Sequence, residues 1–273
     1  MEILKTIFLA VVQGLTEFLP VSSSGHLVLF GRALHVEAPG LFLDLALHVG
    51  TVLAVMVVYR QEIWEIVRDF LALFFRRNWR ENPNARFAVA IVVGSVPTAI
   101  IGLAFEHVIQ RMFERLDVVG AGLIVTAAAL WLTKFSKAKE GGAGRVGVLQ
   151  AVLIGVAQGI AVIPGVSRSG ATISCGLLLG VDRETAARFS FLLSIPAILG
   201  AAVWEASWAA AQEASGAARD VAWLPLLIGI MVSFAVGYLA LKLLLRFVKR
   251  GKLHVFAYYC LPAGLLALAL CIV

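Results

Sequence analysis

The sequence predicts an all-α polytopic membrane protein, with about six transmembrane helices plus two re-entrant helical hairpins arranged as an inverted-topology repeat. Three observations carry that prediction. First, 60% of the 273 residues are hydrophobic and only 15% are charged, whereas a soluble domain is roughly 45–50% apolar and 25% charged. Second, six apolar stretches approach the ~20 residues that a spanning helix needs. They are 41–59, 87–105, 118–134, 186–204, 222–245 and 255–273. Third, two further helical stretches, 1–35 and 148–181, are interrupted by Pro, Gly and Ser and match each other.

In chain order, the first interrupted stretch does not read as a secretory leader, and its helix is expected to stay. Gln13 and Glu17 break its apolar run, and no small-residue cleavage site precedes the polar motif. Neither half of 1–35 or of 148–181 is long enough to span comfortably. Non-helical backbone at membrane depth survives only where protein or a water-filled cavity covers it. Both stretches therefore read as re-entrant hairpins.

The connections set the orientation. Segment 60–86 carries Arg60, Arg68, Arg76, Arg77, Arg80 and Arg86; segment 134–145 carries Lys134, Lys137, Lys139 and Arg145; segment 246–254 carries Arg246, Lys249, Arg250 and Lys252. By the positive-inside rule these three are cytoplasmic. Segments 106–117 and 205–221, with Glu106, Glu114, Asp117, Glu205, Glu213 and Asp220, are then outside. It follows that the first hairpin enters from outside and the second from the cytoplasm. The net charge of +6 is thus spread between apolar runs rather than gathered on one face, which argues against nucleic acid as a partner. Cys175, Cys260 and Cys271 lie in or beside apolar runs without metal-ligand spacing and read as small core residues.

The repeat is ungapped. Gln13 to Gly25 aligns with Gln158 to Gly170 at an offset of 145, matching Gln, Gly, Val, Ser, Ser and Gly. The chain is then one integral membrane domain, 1–273, of two halves, about 1–134 and about 148–273. Each half is one hairpin plus three crossings; an odd number of crossings inverts the second half. Inverted repeats place their sites near the midplane, at broken helices.

Three ionisable groups fall near the two loops of the hairpins: Glu17 and His26 in the first, Arg168 in the second. Each costs roughly 2.5–3.5 kcal/mol at the membrane centre on insertion scales, so they are expected to face one another. A buried ion pair that only locks the hairpins together is the alternative. Ser22, Ser23, Ser24 and Gly25 precede one short helix, and Ser167, Ser169 and Gly170 another. Exposed amides at helix starts bind anions, Gly admits the ligand to the backbone, and Arg168 offers a planar fork suited to phosphate. Capping and tight packing are what such Ser/Gly runs do otherwise. Gln13 and Glu17 share a helix face, as do Asp44 and His48. Gln13, Glu17 and Asp44 are candidate oxygen ligands for a divalent cation. His48 alone reads more readily as a satisfied core histidine. Arg183, Glu184 and Arg188 are expected at the cytoplasmic interface.

The stretch Gln13-Gly-Leu-Thr-Glu-Phe-Leu-Pro-Val-Ser-Ser-Ser-Gly-His26 resembles the first signature of bacterial undecaprenyl pyrophosphate phosphatases of the bacitracin-resistance type. Pro164-Gly-Val-Ser-Arg-Ser-Gly-Ala-Thr172 resembles the second, and the likeness runs through the whole chain. The resemblance implies hydrolysis of undecaprenyl pyrophosphate to the monophosphate carrier lipid, a bacterial inner-membrane location with the site open to the periplasm, and a divalent cation, Mg²⁺ or Ca²⁺. It allows a homodimer. It places Glu17, Ser23, His26, Ser167, Arg168 and Thr172 on functional positions. Ser23 is then the expected nucleophile, His26 its base, Glu17 the group that orients His26 or holds a cation, and Arg168 the phosphate clamp. A transporter or lipid flippase on the same repeat, and a membrane scaffold, are the other function classes.

Overall fold

The apolar stretches fold as helices, and the Pro/Gly/Ser interruptions are where those helices stop. The computed structural model describes residues 2–33, 41–71, 82–138, 144–214 and 223–271. Twelve α-helices are described: α1 Glu2–Phe18, α2 Ser23–Ala33, α3 Leu41–Val58, α4 Arg60–Leu71, α5 Pro83–Ala104, α6 Glu106–Phe113, α7 Leu116–Leu132, α8 Val148–Ile160, α9 Arg168–Leu178, α10 Arg183–Ala214, α11 Trp223–Lys249 and α12 Ala257–Ala269.

Four helical segments are long and apolar enough to cross a membrane: Pro83–Ala104, Leu116–Phe135, Arg183–Trp204 and Trp223–Lys249. Leu43–Val58 and Arg60–Leu71 add a fifth if counted together, but they meet at 82°. The predicted crossing 41–59 thus ends in a sharp turn at Tyr59. The charged connection 60–86 begins with helix α4 rather than a loop, and 106–117 contains α6. The last predicted crossing, 255–273, is the short apolar run Leu253–Ala269. Arg76, Arg77, Arg80, Lys139 and Asp220, on which part of the orientation rests, lie outside the described residues, as do the side chains of Glu205 and Glu213.

Lipid-facing and packed faces separate at helical spacing. On α5, Val92, Val96, Ile100 and Leu103 are exposed, while Ala88, Ala90, Gly94 and Thr98 are buried. Between helices in lipid there is no hydrophobic drive, so association relies on small residues that let backbones approach. Among the helix pairs that use this device are α1–α11, α5–α8 and α7–α12. Gly14 of α1 sits against Ser233, Val236 and Gly237 of α11. Gly155 of α8 sits against Gly94 and Pro97 of α5, and Thr98 Oγ1 donates across that interface to Gly155 O at 2.9 Å. Gly120 of α7 and Gly264 of α12 each face the other's carbonyl.

The two interrupted stretches restart at matching places. Helix α2 begins at Ser23 and α9 at Arg168, which reproduces the offset of 145. Leu19 to Ser22 separates α1 from α2, and Ala161 to Ser167 separates α8 from α9. The breaks use different backbone devices. Ser22 takes a left-handed conformation (φ +69°) in the first, and Gly165 (φ +91°) in the second. Glycine is required at Gly165, because a Cβ there would collide with the Val119 carbonyl.

An added Cβ on Gly155 would overlap the Gly94 carbonyl, so the α5–α8 pair has no room to yield. Gly155→Ala is expected to destabilise by about 1–3 kcal/mol, the usual cost of overpacking. A lowered thermal unfolding midpoint of the purified protein in detergent checks this.

Candidate active site

Three helix ends and one helix flank converge. The C-terminal turn of α1 supplies Gln13 and Glu17, the start of α2 supplies Ser23, the start of α9 supplies Arg168, and α3 supplies His48. Gln13 and Glu17 lie one turn apart on one face of α1, and Gln13 Nε2 donates to Glu17 Oε2 at 3.1 Å. Ser23 is brought to the same oxygen by the break after Phe18; its Oγ donates to Glu17 Oε2 at 2.6 Å. The other oxygen, Oε1, accepts from Arg168 Nη2 at 2.7 Å. His48 Nε2 stands 3.7 Å from Oε2. Glu17 is only 7% exposed, so this buried carboxylate is held by a cation, a hydroxyl, an amide and an imidazole together.

Arg168 is fixed behind the pair. Its Nη1 donates to Ser190 O at 3.4 Å, Thr172 Oγ1 donates to Arg168 O at 2.7 Å, and Thr172 and Ser190 share a 2.6 Å hydroxyl contact. Thr172 and Ser190 are fully buried.

The two Ser/Gly loops are built alike. Gly25 N–H donates to Ser22 Oγ at 3.3 Å and Gly170 N–H to Ser167 Oγ at 3.1 Å, each a cap on the helix that follows. Ser22 and Ser24 hydroxyls lie 3.3 Å apart, as do those of Ser167 and Ser169. The loops also touch reciprocally. A Cβ added to Gly25 would lie 3.2 Å from Gly165 Cα, and one added to Gly170 would lie 3.3 Å from Pro20 Cβ. Gly25 and Gly170 are repeat mates, and so are Pro20 and Gly165. The second loop is anchored further by Thr126, whose Oγ1 accepts from Ser167 N–H at 2.9 Å and donates to Gly165 O at 3.1 Å.

Glu17, Ser23 and Arg168 therefore come together as the sequence predicts. His26 does not join them. Its Nδ1 lies 2.8 Å from Ser22 O and its Nε2 lies 2.6 Å from the Tyr259 hydroxyl, with the Tyr259 ring stacked on it at 5.7 Å. Both ring nitrogens are engaged away from Ser23, and it is Glu17 that holds the Ser23 hydroxyl. His48 moves the other way, from a core residue to a neighbour of Glu17; its Nδ1 lies 2.9 Å from Asp44 O and 3.6 Å from Asp44 Oδ2. Sequence reasoning missed Tyr259, Ser190 and Thr126. Ser190 and Thr126 lie in apolar crossings, and Tyr259 falls beyond the part of the repeat that aligns; no local spacing ties any of them to the loops.

Among the described residues no three His, Cys, Asp or Glu side chains gather as a metal cage. Gln13 Oε1, however, is buried beside Glu17 without a hydrogen-bond partner. An uncharged oxygen next to a carboxylate, with the Asp44 carboxylate on the adjacent helix, is the kind of donor set hard cations take.

Fold and site together define a multi-pass helical membrane protein with a charge-paired polar site where two broken helices meet. A model of the family described as bacitracin resistance protein BacA matches residues 6–266. The undecaprenyl-diphosphatase of Desulfosudis oleivorans is 47% identical over 97% of each chain. That of Desulforapulum autotrophicum is 44% identical over 98% of each. That of Korarchaeum cryptofilum is 40% identical over 99% of this chain and 100% of its own. The chain belongs to the BacA family.

Removing one member of a buried ion pair strands the other charge, at about 3–5 kcal/mol. Glu17→Gln is therefore expected to lower stability by roughly that amount, and Glu17→Gln with Arg168→Gln to recover most of the loss. Thermal unfolding of the two single variants and the double variant, read as a double-mutant cycle, checks this. Additive losses would mean that the pair carries no coupling.

Proposed function

We propose that this protein is an undecaprenyl-diphosphatase that removes the terminal phosphate of undecaprenyl diphosphate, leaving the monophosphate carrier lipid and inorganic phosphate. One observation carries the reading: a single buried carboxylate, Glu17, bridges a serine hydroxyl and an arginine fork. That is an activated nucleophile beside a phosphate clamp. Family membership and the names of the relatives support the same reaction and, with it, a role in bacitracin resistance.

Ser23 Oγ attacks the terminal phosphorus, the bond to the bridging oxygen breaks, and the lipid monophosphate leaves. A leaving group that is already a phosphate needs little acid assistance. Water then cleaves the phosphoserine to serine and inorganic phosphate. A serine hydroxyl needs a base within hydrogen-bond reach. Glu17, at 2.6 Å from Ser23, fills that role better than His26. An arriving phosphate draws Arg168 into bidentate contact with its own oxygens. The guanidinium then leaves Glu17, which is freed to take the Ser23 proton. Arg168 and the first-turn amides of α2 and α9 stabilise the transferring phosphoryl oxygens, and such positioning and electrostatics supply most of phosphoryl-transfer catalysis. Ser22, Ser24, Gly25, Ser167, Ser169 and Gly170 shape the two amide cradles, and Thr172 holds the turn that carries Arg168. His26, locked between Ser22 and Tyr259, holds the first cradle in shape.

A divalent cation, Mg²⁺ or Ca²⁺, would be held by the oxygens of Gln13, Glu17 and Asp44, the donor type such hard cations take. When bound, it would neutralise charge on the substrate's phosphates.

The same reading sets the protein in the bacterial inner membrane as six crossings and two hairpins that enter from opposite faces, with the site open to the periplasm. The halves, about 1–134 and about 148–273, are then inverted relative to each other. The matched starts of α2 and α9, the matched caps and the reciprocal Gly25–Gly165 and Gly170–Pro20 contacts support this.

Purified protein should release phosphate from undecaprenyl diphosphate in detergent with a divalent cation. Ser23→Ala should lose at least a hundredfold in kcat and fail to trap phosphate; full activity would sink the nucleophile assignment. Arg168→Lys keeps the charge but loses the fork, and should lose most turnover. Absence of release from wild type with every divalent cation tried would favour carriage of a lipid rather than hydrolysis.

A further inference from the structure

The repeat is broken at one place by size rather than by charge. In the first half, one face of α2 is filled with rings. His26 stacks on Tyr259, and Phe30 packs edge-on against Phe8 of α1 at 5.3 Å. The matching positions on α9, at the offset of 145, are Ala171 and Cys175. The space those rings would occupy is open: a groove of about 360 Å³ lies between α7, α8 and α9, with Ala171 and Cys175 in its wall.

The groove starts at the site. Val166 and Ala171, which bracket the Ser167–Gly170 loop, line its near end together with Thr126, the residue that anchors that loop. It follows α7 from Val125 to Leu132 and α9 from Ala171 to Leu178. Seven residues of helical rise make that about 10 Å. Val125, Leu132, Ile160 and Leu178 at its rim are about half exposed, so it opens sideways onto the lipid-facing surface. Along α9, Arg168 and Ala171 lie only 60° apart about the helix axis, given 100° per residue. A ligand whose phosphates sit on Arg168 can therefore pass its chain round α9 into the groove without crossing another helix.

We propose that this groove holds the head-proximal part of the substrate's isoprenoid chain. The inference rests on the diphosphatase reading given above. The wall is apolar and scalloped by Ala129, Ala157 and Ala171, which leaves recesses for methyl branches. Ser174, in the same wall, is 2% exposed and its hydroxyl has no partner. An O–H donor there can use the π face of an alkene as a weak acceptor, which an isoprenoid supplies and a saturated acyl chain does not. Specificity for a prenyl over an acyl diphosphate would then reside in the second half, while the nucleophile belongs to the first.

Cys175→Phe tests this by installing the residue that stands at the matching place of the first half. The readout is the ratio of kcat/KM for undecaprenyl diphosphate to that for dimethylallyl diphosphate, whose single isoprene unit cannot extend to Cys175. The ratio is expected to fall at least tenfold; an unchanged ratio in a variant that unfolds at the wild-type temperature overturns the proposal. A second measurement needs no turnover. A polyprenyl monophosphate carrying a diazirine on a head-proximal isoprene unit should label α7 and α9 of wild type, and Cys175→Phe should abolish that label. Labelling confined to other helices, or displaced equally well by a saturated phospholipid, overturns the proposal. Groove labelling in a protein that releases no phosphate would uphold the chain site and reject the hydrolase reading instead.

Discussion

The Glu17–Arg168 pair is the constraint on which the rest of the site depends. Neither charge is tolerable alone in apolar surroundings, since desolvation outweighs what water would otherwise supply. Each is carried at a helix end beside a break, Glu17 at the end of α1 and Arg168 at the start of α9. The pair thus converts two local weaknesses, the end of α1 and the start of α9, into one joint. Ser23 and Gln13 complete the carboxylate on one side, and Ser190 and Thr172 steady the guanidinium on the other. In the proposed reaction, the bond that stabilises the resting protein is the one a phosphate competes with, so that substrate binding and rearrangement of the pair are a single event.

Around this joint the packing is made of backbone more than of side chains. Gly14 on α11, Gly155 on α5 and Gly120 on Gly264 bring helix axes close enough for carbonyls to face neighbouring helices. Thr98 and Thr126 then bridge across with hydroxyls. In a lipid environment every such polar contact also removes a group that would otherwise lack a partner. Thr126 positions the loop Gly165–Ser167 in particular, and so sets where Arg168 stands.

Much of this is legible in the sequence for physical reasons. Pro20 and Pro164 among Ser and Gly mark the breaks, because such residues do not continue a helix. The pairing of Glu17 with Arg168 is legible because a buried charge demands its opposite. What could not be read has equally physical causes. Ser23 is six residues from Glu17, which an unbroken helix would place on different faces; only the turn at Leu19–Ser22 unites them. The turn at Tyr59 carries no Pro or Gly, so the apolar run gives no sign of it. Helix α4 reads as a charged connection because five of its twelve residues, Arg60, Glu62, Glu65, Arg68 and Asp69, are charged. Tyr259 reaches His26 across 233 residues, and no local pattern announces a partner at that range. The engagement of His26 by Tyr259 is therefore also what displaces it from the role of base that its nearness to Ser23 in sequence implies.

Reciprocal touching is what two copies of one surface do when they meet about a twofold axis. Gly25 lies on Gly165 and Gly170 on Pro20, so the loops meet in that manner within a single polypeptide. The protein is in this respect a dimer whose subunits have been joined end to end. Two identical subunits would have to change in step, since every substitution would appear on both sides of the axis. Once joined, each side is free to drift. One half carries a carboxylate and a serine, the other an arginine and a wall without rings. In the proposed reaction that asymmetry is a division of labour, with one half reacting and the other holding.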